Sequence, residues 1–341
     1  RSSHIEKRQK LLHTFTAPME RAGKDAMAVD ALGKNSHAPA APKEGFDAIP
    51  MWVADMNFPT VPTIPQAIIE RAGHPAYGYF SPRKEYFEEI IKWQERRNGV
   101  TGLTPECIGY ENGVLGGVIS AMNVLCSKGD HVLVHKPTYI GFTSCLTNNG
   151  YHIVHSDLVK DEEGIWRMNF EDMEEKIVEN KIHTMIFCSP HNPCGRVWER
   201  WEIEKMMELC RRRQVMVISD EIWSDIITVG HKHIPTQSVS EDAKMRTVAF
   251  YAPSKTFNLA GLVGSYHLIY NEWLRDRIRK ESSLSHYNSM NVLSMHALIG
   301  AYQPEGTYML FVDCSEWCRR LSGGWTGTYL MGNRQKHEHL I

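Results

Sequence analysis

No run of the sequence comes near the roughly 20 consecutive apolar residues that a helix needs to cross a bilayer, so no membrane partner is expected. Charge of neither sign is in excess. Lys plus Arg number 38 against 40 Asp plus Glu, a net charge of −2, and nothing favours nucleic acid or an anionic surface as a partner. Cysteine is modest at 8 residues and never falls in C-x-x-C spacing, which argues against a disulfide-stapled secreted scaffold. Residues 1–10 are basic and polar, without the apolar core of a signal sequence, and a cytoplasmic protein is the expectation. There is no internal repeat, and APAAP at 38–42 is the one biased tract, read as an extended loop because proline fixes φ and removes donors. What is present is ordinary globular composition, 42% hydrophobic and 23% charged in 341 residues, room for about two domains at roughly 150 residues each.

From about 110 to 270, short β-branched runs alternate with longer amphipathic stretches. The runs 131–135 (HVLVH), 151–155 (YHIVH), 184–188 (TMIFC), 215–219 (VMVIS), 247–251 (TVAFY) and 265–270 (SYHLIY) read as strands. Residues 169–180 and 199–213 read as helices between them, and 86–97 as a helix upstream. This alternation predicts an α/β layer with a mainly parallel sheet, whose ligands gather beyond the carboxyl ends of the strands.

The residues that follow those strands carry the chemistry. Ser189-Pro190-His191-Asn192-Pro193-Cys194-Gly195-Arg196 follows 184–188, Asp220-Glu221-Ile222-Trp223 follows 215–219, and Ser254-Lys255-Thr256-Phe257-Asn258 lies just beyond 247–251. Upstream, 112–117 (NGVLGG) opens a helix running to about Cys126, and Pro137-Thr138-Tyr139 follows 131–135. A sheltered lysine can attack a carbonyl to form a Schiff base. A buried carboxylate can keep a pyridine nitrogen protonated, and a glycine-rich turn opening a helix can cradle a phosphate. Pyridoxal phosphate (PLP) chemistry needs all of these and a group stacked on the ring. Each feature alone has a plainer reading: a solvated lysine, a helix cap or metal-ligand pair at Asp220 and Glu221, and ordinary turns at 113–117 and Asn192. Their occurrence in this order, each after a strand, is what points to PLP.

The same residues resemble a known signature. Asn192-Pro193-x-Gly195-Arg196, then Asp220-Glu221-Ile222, then 254–261 (SKTFNLAG) is similar to fold-type I PLP enzymes, the aspartate aminotransferase superfamily. Within it, 51–58 (MWVADMNF) and Tyr77-Gly78-Tyr79 resemble the MalY/PatB-type cystathionine β-lyases, or cysteine-S-conjugate β-lyases. The resemblance implies a large PLP-binding domain at 66–290, an arm and part of a small α+β domain at 1–65, and the remainder of the small domain at 291–341. It implies that Lys255 binds PLP and moves the substrate α-proton, that Asp220 pairs with the pyridine nitrogen, and that Asn192 bonds the ring 3′-oxygen. Tyr139 would stack on the ring, while Ser254 and the backbone of Val114 and Leu115 would hold the phosphate. Tyr79 would complete the site of a second copy, making a homodimer. The implied reaction is α,β-elimination from an amino-acid thioether to a thiol, pyruvate and ammonia. The alternatives are class I/II transamination and PLP binding without full activity.

The carboxyl-terminal part departs from that pattern. The family's Arg-x-Asn-x-Ala segment, which clamps the substrate carboxylate, has no counterpart, and 304–313 resembles a strand from well inside the small domain. Either carboxylate recognition has diverged, or, as the favoured expectation, residues are deleted near 303–306 and the tail 319–341 is foreign. The small domain is then expected to be incomplete. No metal site is expected: 231–233 (HKH) reads as a solvated turn, His191 as structural, Arg196 as a brace for its loop, and 211–213 (RRR) as a solvated helix end.

Overall fold

The computed structural model describes residues 18–34, 37–46, 49–262, 264–285 and 288–303. The sequence-based expectations for 304–313 and for the tail 319–341 lie outside the described residues. By compactness the described residues divide between a unit ending at Ile64 and a unit spanning Pro65–Gln303. In the first, the 51–58 segment is pinned by hydrogen bonds. The Arg21 guanidinium grips both Asp55 oxygens at 3.0 and 2.7 Å and Asn57 at 3.1 Å, and the Trp52 indole donates to the Ala28 carbonyl at 2.9 Å.

The strands are β1 (Ile108–Glu111), β2 (His131–Lys136), β3 (His152–Asp157), β4 (Val159–Lys160), β5 (Trp166–Arg167), β6 (Thr184–Cys188), β7 (Met216–Asp220), β8 (Thr247–Tyr251) and β9 (Ser265–Leu268). The helices are α1 (Met27–Asp30), α2 (Thr63–Ala72), α3 (Lys84–Asn98), α4 (Val114–Leu125), α5 (Ile140–Asn148), α6 (Phe170–Glu179), α7 (Arg200–Arg213), α8 (Glu241–Arg246), α9 (Glu272–Ser285) and α10 (Val292–Tyr302). Every position of β6 and β8 is buried, as befits strands covered on both faces.

Seven strands form one sheet in the order β1-β9-β8-β7-β6-β2-β3. From β8 through β3 the pairing is parallel, whereas β9 runs antiparallel to both β8 and β1. Two reversals return β1 to the parallel direction. The carboxyl ends of β1, β2, β6, β7 and β8 therefore open on one edge, in a register that sets Cys188 beside Asp220 and Asp220 beside Phe250.

Helices cover both faces. On α4, Val118, Ala121 and Met122 face the sheet, and at Gly117 the helix lies so close that a Cβ would collide with the Phe250 ring. On the other face α6 buries Met173 and Ile177, one turn apart, with Ile203, Met206 and Cys210 of α7. The expected mainly parallel, helix-flanked α/β sheet is the architecture observed. β1 was not read from the sequence. Its four residues, IGYE, show no apolar alternation, and Gly109 is there because the His267 ring of β9 occupies the space of a Cβ.

Candidate active site

The site is built on the loops leaving one sheet edge. β7 delivers Asp220, 4% exposed, whose Oδ1 accepts one hydrogen bond, 3.1 Å from the Ile222 amide. Burial, reinforced by the neighbouring Glu221 charge, pushes its carboxyl up to about 6 against the opposing pull of the Ile222 amide and Lys255. The loop after β8 delivers Lys255, whose Nζ lies 5.8 Å from the centre of the Trp223 ring. That loop is tied at both sides of the lysine. Leu259 donates to the Ser254 carbonyl at 2.9 Å, and the Thr256 hydroxyl to the buried Asp225 at 2.9 Å.

β2 leads into Tyr139, which precedes α5. Burial and the Asp220 charge both raise its phenol, so ring and carboxylate share one neighbourhood. Its ring lies over Gly141, where a Cβ would collide with it. Gly141→Ala is accordingly expected to displace the ring and weaken PLP binding by about tenfold, read from a fluorescence titration of cofactor-free protein. An unchanged affinity would remove Tyr139 from the site.

β6 delivers Asn192 on a turn closed by sulfur: the Asn192 amide donates to the Cys188 thiol at 3.5 Å, and that thiol donates to the Pro190 carbonyl at 3.3 Å. Arg196 braces the same loop from behind, bonding Glu199 at 2.9 Å, Glu202 at 2.5 Å and the Trp166 carbonyl at 3.0 Å. His191 is buried against Trp198, ring centres 5.7 Å apart, and burial lowers it to about 4. β1 ends in Glu111, held by His267 at 2.6 Å, and then turns through Gly113 (φ 79°) into α4. The first α4 amide to return to the turn is that of Gly117, 3.0 Å from the Gly113 carbonyl, so the amides of Val114, Leu115 and Gly116 precede it at the positive end of the helix.

Lys255, Asp220, Asn192, Tyr139, Ser254, Val114 and Leu115 thus all follow or end strands whose carboxyl ends open on one sheet edge. Among the described residues, the Asn192 carboxamide, the Ser254 hydroxyl and the Tyr139 phenol make no hydrogen bond within the protein. An aldehyde-bearing pyridine phosphate would meet an amine, a carboxylate, a carboxamide, an aromatic face and a helix start there, and these residues fit PLP. Tyr79 stands apart from this group: its side chain is fully exposed and borders a groove of about 450 Å³ with Tyr77, Phe80 and Met290.

One sequence reading is corrected. His233, expected in a solvated turn, is 5% exposed and bonds the buried Glu221 at 2.7 Å through Nε2, because 231–236 folds back to place Thr236 against the same carboxylate. Sequence spacing gave no sign of this, since the pairing is made by the loop and not by a helical or strand period. Away from the site, Cys126, Asp130 and His183 bring ligand-type atoms within 4.8 Å of one another. Asp130 there takes the Ser127 amide at 2.7 Å and His183 Nε2 at 3.3 Å, bonds that close the turn into β2.

The description Aminotransferase class I and II belongs to a family model that matches residues 48–309. The chain belongs to this family. It is 36% identical over 263 residues to the cystathionine β-lyase PatB of Bacillus subtilis, covering 77% of this chain and 67% of that one. It is 31% identical over 262 residues to the protein MalY of Escherichia coli, covering 75% and 65%. The chain thus spans about two thirds of the length of these relatives. Cystalysin of Treponema denticola, solved with PLP, superposes with a TM-score of 0.81 at 28% identity over 90% of this chain and 76% of its own. The PLP-bound C-S lyase of Staphylococcus hominis superposes with a TM-score of 0.76 at 29% identity over the same shares. PLP is the cofactor of this class I and II aminotransferase family member, as the sequence signature implied.

Proposed function

We propose that the chain is a PLP-dependent carbon–sulfur β-lyase that takes cystathionine or a related cysteine S-conjugate to a thiol, pyruvate and ammonia. The observation that carries this reading is the convergence of Lys255, Asp220, Asn192, Tyr139 and Ser254 on one sheet edge in a chain similar to PatB, a cystathionine β-lyase. When bound, PLP supplies an electron sink for the carbon from which a proton has left. Lys255 holds the cofactor covalently and moves the proton at the substrate α-carbon. Asp220, buried and carrying a single internal hydrogen bond, holds the proton on the pyridine nitrogen. Asn192 orients the ring through its 3′-oxygen, Tyr139 covers one ring face, and Ser254 with the Val114 and Leu115 amides holds the phosphate. The fully exposed Tyr79 is assigned to the site of a second copy, so the working unit is a homodimer. The six cysteines of the described region are free thiols, which supports a reducing, cytoplasmic setting. Among the described residues no helix is long and apolar enough to cross a membrane.

The test is incubation of PLP-loaded protein with cystathionine, following thiol and pyruvate together, with the mass in solution measured on the same preparation. Equal release of both from a dimer is expected. Amino-group transfer to a keto acid without pyruvate would replace this reading by transamination, and PLP binding with no turnover would reduce the chain to a cofactor-binding protein.

A further inference from the structure

Glu221 takes no part in the chemistry above, yet it is fully buried and stands next to Asp220. Four donors converge on it. The Ser219 hydroxyl and the Thr236 amide each approach Oε1 at 3.0 Å, while His233 Nε2 at 2.7 Å and the Tyr251 hydroxyl at 2.5 Å approach Oε2. These donors come from β7, β8 and the 231–236 loop, so three separate stretches of chain converge on one side chain.

Such an arrangement keeps a charge where burial would remove it. Burial pushes the Glu221 carboxyl up, but the attraction and hydrogen bond of His233, with the bonds of Tyr251 and Thr236, overcome it and hold it below its ordinary value. The retained negative charge acts on Asp220 from the adjoining residue, raising that carboxyl beyond what burial does. The other titratable groups facing Asp220 are Lys255, which acts in the opposite sense, and the Tyr139 phenol and Cys188 thiol, which are uncharged at neutral pH. Those facing Glu221 are His233, Tyr251 and Tyr266, with Asp225 and its Arg97 partner beyond His233.

We propose that Glu221 is a positioning residue whose caged negative charge, one residue behind Asp220, tightens the hold of Asp220 on the proton of the pyridine nitrogen. This rests on the reading of Asp220 given above. The Glu221 carboxylate acts on Asp220, whereas its partner His233 is not among the groups that do, and its negative charge there favours the positive nitrogen that Asp220 faces and disfavours loss of its proton. Through Asp220 it strengthens the electron sink without contacting cofactor or substrate.

The experiment loads the protein with PLP labelled at the pyridine nitrogen with nitrogen-15 and follows that nitrogen's chemical shift across the pH range in which the protein is folded. Glu221→Gln, which keeps the shape and removes the charge, is expected to release the pyridine proton about one pH unit lower than the parent. Tyr251→Phe leaves the carboxylate charged with one offsetting dipole fewer, and is expected to move the release of the pyridine proton in the opposite direction by less. It supplies the answer if Glu221→Gln does not fold. Asp220→Asn is the reference and should leave the nitrogen unprotonated. If Asp220→Asn changes the shift while the Glu221 and Tyr251 variants track the parent throughout, the role of Glu221 is overturned and that of Asp220 stands. If Asp220→Asn also tracks the parent, the Asp220 reading itself fails.

Discussion

Lys255→Ala is expected to abolish the visible band of covalently bound PLP and to lower thiol release from cystathionine by at least about 10³-fold, since in the role proposed above Lys255 is both the covalent anchor and the α-proton carrier. The geometry allows the loss to be read as chemical. The Lys255 loop is held by its neighbours: Thr256 bonds Asp225 at 2.9 Å, and Phe257 and Leu259 donate to the Pro253 and Ser254 carbonyls at 2.9 Å. Truncation at Cβ leaves these three bonds in place. Asp220, Asn192, Tyr139 and Ser254 remain to hold PLP without a covalent bond, so the variant should still take up the cofactor, releasing it on gel filtration where the parent does not. Borohydride treatment and mass measurement of peptides should find the cofactor on Lys255 of the parent and on no peptide of the variant. A variant that kept the band, or an adduct on another lysine, would move the reactive amine elsewhere.

The parts of this site legible in the sequence are those fixed by local pattern. Runs such as TMIFC and TVAFY, buried at every position, announce central parallel strands, and the residues after them must then fall on one edge. That Asp220, Asn192 and Lys255 lie at that edge can be read from the sequence pattern. What sequence could not give is the partner of a side chain when the partner arrives on a loop or from a distant strand. Glu221 reads as the second half of an acidic pair, and only the folded chain puts His233, Thr236 and Tyr251 around it. Likewise Gly141 reads as one more helix residue until the Tyr139 ring is found in the space of its missing Cβ. β1 escaped because its pairing with β9, and not its own composition, makes it a strand. Tyr79 is a different case. Its exposure is visible only in the fold, and its motif alone suggested a reason for it.

Asp220→Asn should show opposite effects on stability and on chemistry, and the two together identify the carboxylate as a group kept for its ligand. In the folded, cofactor-free chain the Asp220 carboxyl sits at about 6 against an ordinary 3.8, raised chiefly by burial. The unfolded chain therefore gives up this proton at lower pH than the folded one. As pH rises through that window the folded state binds the extra proton and loses stability relative to the unfolded state. Above it the cost levels off at about 3 kcal/mol. An asparagine cannot ionise and escapes this cost, so cofactor-free Asp220→Asn is expected to melt above the parent at pH well over 6, with the gap closing as pH falls toward 3.8. Adding PLP should reverse the order, because a pyridinium facing the parent's carboxylate supplies the charge that burial denied it, while the amide of the variant offers no charge to pair. Cystathionine turnover should fall by about 10²- to 10³-fold in the variant, the usual scale for losing one charge aimed at a developing carbanion sink. Thermal unfolding of both proteins, with and without PLP, at one pH on each side of the window decides the matter. A variant no more stable than the parent at high pH would mean that Asp220 is not strained by burial, and equal protection of both by PLP would mean that it does not face the pyridine nitrogen.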